Sequence, residues 1–400
     1  MKKMKKPILL LIILLVCAIE NKPQVDTLLN YLNDADIWKR GMALAKIKQD
    51  NLTGFIPVLE EEIFKQSEPV MIKDFLETLD VLDAGEIVPI TYQFIEMADG
   101  FADMYPPRDP LEMKVIATEI LFKRGDYSTA HYVFELAERE YPFNERTRLI
   151  VISMLGSIIN ELPSHENQAK EMLLQALNNS PNAKVRSMPL SFLSGKYGSQ
   201  LIGLYVTLSQ NDSDWLLRLQ AIKSLRASNY IQLNGFLRDR LLSDNQPELR
   251  EWVGTYLLNW FGEPSDYKYL QDYSPDEPDS ATKEGISLEL VTFIPPKPAS
   301  LNWQEMITRL VSYTDELFQY NWIKNEKTRD YYNQKLNSVN EAIENNNPTA
   351  ESCTIINEQI LPQTEQDLKE QTITSEGYKF LHYYTIYIKE EIEKEFGACQ

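Results

Sequence analysis

The chain has 400 residues, a formal net charge of −19, three cysteines and only 15 glycines. So acidic a chain would repel phosphate backbones, which argues against a nucleic-acid-binding protein. Three cysteines cannot build a disulfide-dense scaffold, and 43% hydrophobic residues exclude global disorder. The length predicts two or three domains, and the long periodic segments predict a largely helical chain.

The N-terminus has the pattern of an export signal. Four lysines lie within Met1–Lys6, and the ten-residue apolar run Pro7–Val16 follows them. This run is too short to cross a bilayer, which needs about 20 residues. We therefore predict an exported protein whose signal occupies residues 1–17.

Two cleavage sites fit this signal. Leu14-Leu15-Val16-Cys17 resembles a bacterial lipobox, which implies lipidation of Cys17 and anchoring to a membrane of the bacterial envelope, in the periplasm or at the cell surface. Val16-Cys17-Ala18 instead fits ordinary signal peptidase, which would cut after Ala18. We favour the lipoprotein, because a cysteine directly follows the apolar run.

Residues 24–272 contain repeats. Arg186, Arg218 and Arg250 follow one another at intervals of 32 residues, and each precedes apolar positions by three and by seven residues. These positions lie on one face of a helix. The same spacing recurs less regularly after Arg40 and Arg148. The pattern resembles the first helix of a HEAT repeat, which implies stacked helical hairpins that bury their faces against their neighbours.

The middle of this region has a second pattern. Gly125–Ala130, followed by Phe134, Ala137 and Pro142, resembles the second helix of a tetratricopeptide (TPR) repeat. Both families stack helix pairs, so we predict a mixed HEAT/TPR-like α-solenoid of six or seven hairpins.

The repeated arginines have a structural interpretation and a functional one. We favour a structural ladder that links adjacent repeats over contacts with a ligand, because acids such as Asp36, Asp214 and Glu248 lie nearby. The ladder consists of Arg40, Arg148, Arg186, Arg218 and Arg250.

Residues 273–300 interrupt the repeats. Tyr273–Gly285 is rich in Pro, Asp and Ser, which is the composition of a linker. Ile286–Ile294 then alternates briefly between apolar and polar residues. We predict a linker that contains either one short strand or an extended segment lying on the end of the solenoid.

Residues 301–396 are predicted to form a small antiparallel helical bundle. Apolar residues recur every three or four positions in the segments 303–320, 326–345, 348–370 and 375–395. The residues Leu336–Asn347, Ala350, Ile356–Leu361 and Thr372–Thr374 resemble the FIMAH domain, a bundle at the C-termini of exported bacterial proteins. The resemblance implies an interaction module. Pro362 inside the third segment predicts a kink.

Antiparallel helices would bring Cys353, near the start of the third segment, close to Cys399, just after the fourth. Export exposes the chain to oxidising conditions. A Cys353–Cys399 disulfide is therefore one prediction, and two free thiols are the alternative.

No catalytic pattern is visible in the sequence. His131, His165 and His382 have no partner at metal-binding spacing, and no phosphate-binding loop or nucleophile motif occurs. We predict a non-enzymatic envelope protein without metal or cofactor that binds an unknown protein or peptide, with basic partners favoured by charge. The alternatives are a glycan- or small-ligand-binding protein or enzyme of the envelope, and an envelope spacer.

Overall fold

A computed structural model describes residues 22–66, 68–103, 109–139, 145–344 and 350–397. This part of the chain is all-α, as the sequence predicts, and its one pairing of β type is the isolated bridge between Ile323 and Ile373. The predicted export signal, with Cys17, lies outside the described residues, as does Cys399.

The chain divides into two compact units, Met1–Tyr205 and Val206–Gln400. The division falls inside the predicted solenoid of residues 24–272, within the long helix Ala183–Asn211, and away from the predicted linker of residues 273–300. The last repeat helices and the predicted C-terminal bundle therefore belong to one compact unit.

The first unit consists of successive helices. They are α1 (Lys22–Leu32), α2 (Ile37–Gln49), α3 (Ile56–Glu62), α4 (Pro69–Val81), α5 (Ile87–Met97), α6 (Pro110–Lys123), α7 (Ala130–Glu138), α8 (Glu145–Glu161), α9 (Glu166–Asn179) and the first part of α10 (Ala183–Asn211). Helix α2 packs on α4, α4 on α6 and α6 on α8, while α1, α5, α7 and α9 pack beside members of this row. This is the packing expected of stacked hairpins.

Local residue chemistry sets the ends of these helices. The side chain of Asp36 accepts a hydrogen bond from the Trp38 N–H at the start of α2, and Asp109 accepts one from Leu111 at the start of α6. Asn51 and Gly125 follow α2 and α6 with φ of 50° and 77°. Left-handed backbone of this kind reverses the chain after a helix.

The second unit continues the repeats and then forms the bundle. Its helices are α11 (Trp215–Ala227), α12 (Leu233–Ser243), α13 (Pro247–Trp260), α14 (Pro264–Tyr273), α15 (Ser280–Thr292), α16 (Trp303–Gln319), α17 (Glu326–Glu344), α18 (Ala350–Thr354), α19 (Leu361–Lys369) and α20 (Ser375–Phe396). Helix α13 packs on α12 and α15, and α16 packs on α17 and α20.

The prediction of a short strand or an extended segment at Ile286–Ile294 is wrong. Residues 280–292 form α15, which Asp279 caps by accepting a hydrogen bond from the Thr282 N–H. Ile286 and Leu290 are buried, and their spacing of four residues defines a helical face. The predicted linker therefore contains a helix that packs on α13 and α14.

The third helical segment of the bundle is irregular at its centre. A π-helical stretch, Ile355–Ile360, separates α18 from α19, and Pro362 lies in the first turn of α19. Proline has no N–H to donate, so the regular ladder of hydrogen bonds is interrupted at the position where the sequence predicts a kink.

Aromatic side chains join the last repeat to the bundle. The Tyr267 ring lies 5.4 Å from the Phe293 ring and 5.5 Å from the Trp322 ring, and Trp322 stacks on Phe380 at 6.1 Å. All four side chains are buried. The ammonium of Lys379 donates to the carbonyl oxygen of Leu290 at 2.6 Å, which ties α20 to the C-terminal end of α15.

Candidate binding surface

Arg218 and Arg250 form a buried ladder in the second unit. Arg218 donates Nε and Nη2 to the carboxylate of Asp244 at 3.0 and 2.7 Å, and Nη1 to the carbonyl oxygen of Asp212 at 2.8 Å. Arg250 repeats this arrangement one hairpin later, with Glu277 as the carboxylate and the Asp244 carbonyl at 2.8 Å. Each arginine therefore ties the loop before its own helix to the loop before the next repeat.

The carboxylates that pair with the two arginines, Asp244 and Glu277, also accept hydrogen bonds from the backbone of their own loops. Asp244 accepts the Gln246 N–H at 2.9 Å, and Glu277 accepts the Asp279 N–H at 2.9 Å. Burial alone would raise the pKa of Glu277, but the hydrogen bonds from Arg250 and Tyr273 outweigh it and lower the pKa to about 2. The ladder holds the N-termini of α11, α13 and α15 in register.

The other three predicted ladder residues, Arg40, Arg148 and Arg186, lie in the first unit. Arg40 donates to the carbonyl oxygen of Asp34 at 2.8 Å, which reproduces the local half of the motif. Arg186 lies four residues after Asn182, which accepts hydrogen bonds from the first turn of α10, and Arg148 lies in α8.

The acids that the sequence suggested beside the arginines have other roles. Asp36 and Asp214 cap their helices, and Glu248 bonds with Gln246. The carboxylate partners of the ladder lie 26 and 27 residues downstream of their arginines.

Arg218 and Arg250 are too buried to contact a partner, but the outer side of their helices is exposed. Leu216 on α11 is 53% exposed, Trp252 on α13 is 46% exposed, and Leu288 on α15 is 62% exposed. They lie two, six and nine residues after the caps of their helices. Because the ladder aligns these helix starts, we infer that the three side chains follow an oblique apolar row across neighbouring helices.

Carboxylates lie at the contact between α13, which carries Trp252, and α15, which carries Leu288. The carboxylate of Glu251 packs against Gly285, where a Cβ atom would lie 2.6 Å from the carboxylate carbon. Burial raises the pKa of Glu251, and the negative charges of Glu289, Glu248 and Asp279 raise it further. The α13–α15 seam is therefore an acidic strip. We call the row and this strip together the Trp252 surface (Leu216, Glu248, Glu251, Trp252, Leu288, Glu289).

Aromatic rings on the same helix pack beside Trp252. Its ring lies 5.8 Å from that of Tyr256, which stacks on Trp260 at 4.1 Å. The guanidinium of Arg226 lies 5.8 Å from the Trp260 ring. Tyr256 is buried, so these contacts fix the orientation of Trp252 and leave part of its ring accessible.

The histidines have local neighbours and form no shared site. His131 lies 3.9 Å from the Tyr132 ring, and His165 stacks on Phe134 at 5.6 Å. His382 stacks on Tyr378 at 4.6 Å, and burial lowers its pKa. Within the described ranges, no group of three His, Cys, Asp or Glu side chains is arranged to hold a metal ion.

Cys353 is buried and disulfide-bonded. The chain has two other cysteines, Cys17 and Cys399, and both lie outside the described residues. The pairing of Cys353 with Cys399 therefore stays a prediction.

No protein-family model, curated protein or solved structure matches this chain. None of the helices in the described ranges is both long enough and apolar enough to cross a membrane. The Trp252 surface was not predicted from the sequence, although one signal was present: Trp252 interrupts the polar outer positions of an otherwise regular repeat helix.

Proposed function

We propose that the chain is a non-enzymatic interaction protein of the bacterial envelope, anchored through Cys17, whose helical repeats bind a partner protein. In this proposal the repeats are HEAT/TPR-like and the C-terminal helices are FIMAH-like. The observation that carries the proposal is the Trp252 surface, where exposed apolar side chains border carboxylates that form no ion pair among the described residues.

The chemistry of this surface favours a cationic, apolar segment of the partner. The carboxylates of Glu251 and Glu289 repel each other, and a lysine or arginine side chain between them would relieve that repulsion. Trp252 and Leu288 would contact apolar side chains of the same segment. A partly exposed tryptophan on a rigid helix is a common binding hot spot.

A titration with a defined peptide tests this function. The probe is an 18-residue helical peptide of leucine and lysine, and the comparison peptide replaces every lysine by glutamate. We expect the mature chain to bind only the lysine peptide, with weaker affinity at higher salt because exposed charges are screened. Binding of both peptides with equal affinity would contradict the proposed charge complementarity.

Matched variants locate the binding site. We expect Trp252→Ala, or Glu251→Gln combined with Glu289→Gln, to weaken binding of the lysine peptide by about tenfold or more. Trp38→Ala is the control for the tryptophan, because Trp38 is 79% exposed on α2 in the other unit. Equal losses in Trp252→Ala and Trp38→Ala would mean nonspecific binding.

The anchor has a separate test. Cells that express the full chain are labelled with a fatty acid carrying an alkyne group, and we expect label on the wild-type protein and none on Cys17→Ser. An unlabelled wild-type protein that begins at Ile19 would instead support cleavage by ordinary signal peptidase.

A further inference from the structure

A second surface site lies in the same unit, where the start of α14 faces α16. The cleft has a volume of about 530 Å³, and its charged lining includes Glu263, Glu305, Arg309 and Glu316. Thr308 and Ser312 add hydroxyl groups, and the buried Tyr313 lies at its base. This cleft lies on different residues from the Trp252 surface.

The charged groups of the cleft are incompletely neutralised. Burial raises the pKa of Glu263, and the charge of Asp266 raises it further against the opposing effect of Arg309. Burial also raises the pKa of Glu316, and the charge of Glu263 adds to that effect. The half-buried carboxylate of Glu263 thus destabilises the ionised form of Glu316.

The remaining acids near the cleft already have partners. Asp266 accepts hydrogen bonds from Asn234 and Arg238 at 2.8 and 2.7 Å, and Glu305 accepts the Asn302 N–H at 2.9 Å. Arg309 is half-buried and forms no ion pair within 4.0 Å among the described residues. Glu263 already accepts the Asp266 N–H, and Arg309 is already hydrogen-bonded to the Tyr384 hydroxyl. Because a carboxylate has two oxygens and a guanidinium has five N–H donors, Glu263, Glu316 and Arg309 all keep hydrogen-bonding capacity for a ligand.

We propose that this cleft binds a small zwitterion, with its ammonium group at the Glu263 and Glu316 carboxylates and its carboxylate at the Arg309 guanidinium. An ammonium donates hydrogen bonds to two acceptors at once and removes their repulsion. Guanidinium is the side chain best suited to bind a carboxylate through two parallel hydrogen bonds. Thr308 and Ser312 supply further polar contacts along the α16 side of the cleft.

Three probes of equal chain length test the charge pattern. 6-Aminohexanoate carries both charges, hexylamine carries only the ammonium, and hexanoate carries only the carboxylate. By calorimetric titration into the mature chain, we expect 6-aminohexanoate to bind at least tenfold more tightly than hexylamine, and hexanoate to bind more weakly than either. Equal affinities for all three probes, or no heat with any of them, would overturn the proposal.

Variants assign the charges to residues. We expect Arg309→Gln to abolish the preference for 6-aminohexanoate over hexylamine, and Glu316→Gln to weaken both by at least tenfold. Asp315→Asn is the control, because Asp315 is exposed and lies outside the cleft. Circular dichroism confirms that each variant is folded. Unchanged binding in both cleft variants would overturn the assignment.

Discussion

The Arg250–Glu277 pair makes the sharpest stability prediction. The Glu277 side chain is fully buried and accepts two hydrogen bonds from Arg250, and its pKa is lowered from 4.5 to about 2. At about 1.4 kcal/mol per pH unit, ionised Glu277 contributes about 3 kcal/mol to the free energy of unfolding at pH 7. Replacement by glutamine removes this contribution and leaves the Arg250 charge unpaired.

The sign of the pH dependence follows from the lowered pKa. Because the folded-state pKa lies below the unfolded value, the contribution is complete above about pH 4.5 and declines as the pH falls towards 2. At pH 3 about 1 kcal/mol of it remains. We therefore expect the difference in unfolding free energy between the wild type and Glu277→Gln to shrink by about 2 kcal/mol between pH 7 and pH 3.

Urea unfolding followed by tryptophan fluorescence measures this difference. Five of the six tryptophans lie in the unit Val206–Gln400, so the signal reports mainly on the unit that contains the pair. Glu248→Gln, an exposed acid on the same helix as Arg250, is the control, for which we expect a change of less than about 0.5 kcal/mol. A wild-type advantage of equal size at both pH values would refute the reasoning.

Two further stability predictions concern the bundle. A Cβ atom at Gly377 would lie 2.7 Å from the carbonyl oxygen of Trp322, so we expect Gly377→Ala to destabilise the unit by about 1–3 kcal/mol in urea unfolding. Gly235→Ala on α12, where a Cβ has open space, should instead be neutral or stabilising by about 0.5–1 kcal/mol, and equal losses in both would contradict the steric reason. The buried Tyr332 hydroxyl donates to Asp367 at 2.7 Å, so Tyr332→Phe should cost about 1–3 kcal/mol, and an unchanged midpoint would show that this bond contributes nothing.

The all-α fold class could be predicted from the sequence, because the spacing of apolar residues within one segment is enough to identify a helix. The positions three and seven residues after Arg218 and Arg250 are buried, as one helical face requires. The carboxylates that pair with these arginines were missed, because their distance along the chain depends on the length and return path of the intervening second helix. A repeated signal was nevertheless present: Asp212, Asp244 and Glu277 each precede a helix cap by two residues.

The break predicted at residues 273–300 shows how composition misleads. Proline and acidic residues are typical of linkers, yet here Asp279 caps a helix and Glu277 forms a buried ion pair with Arg250. The exposure of Trp252 was equally invisible, because a large apolar residue on a helix is usually buried. Only the arrangement of α11, α13 and α15 decides that its ring stays accessible.

The ladder motif also shows where the repeats end. Lys283 on α15 stands four residues after its cap, like Arg218 and Arg250, but its ammonium donates to the carbonyl oxygen of Pro275 at 2.6 Å and reaches no later repeat. The bundle covers the C-terminal end of α15, through Lys379 and the ring of Phe380. A stack of repeats needs a terminal element that covers its last apolar face. The bundle fills that role, which explains in physical terms why it shares a compact unit with the last repeats.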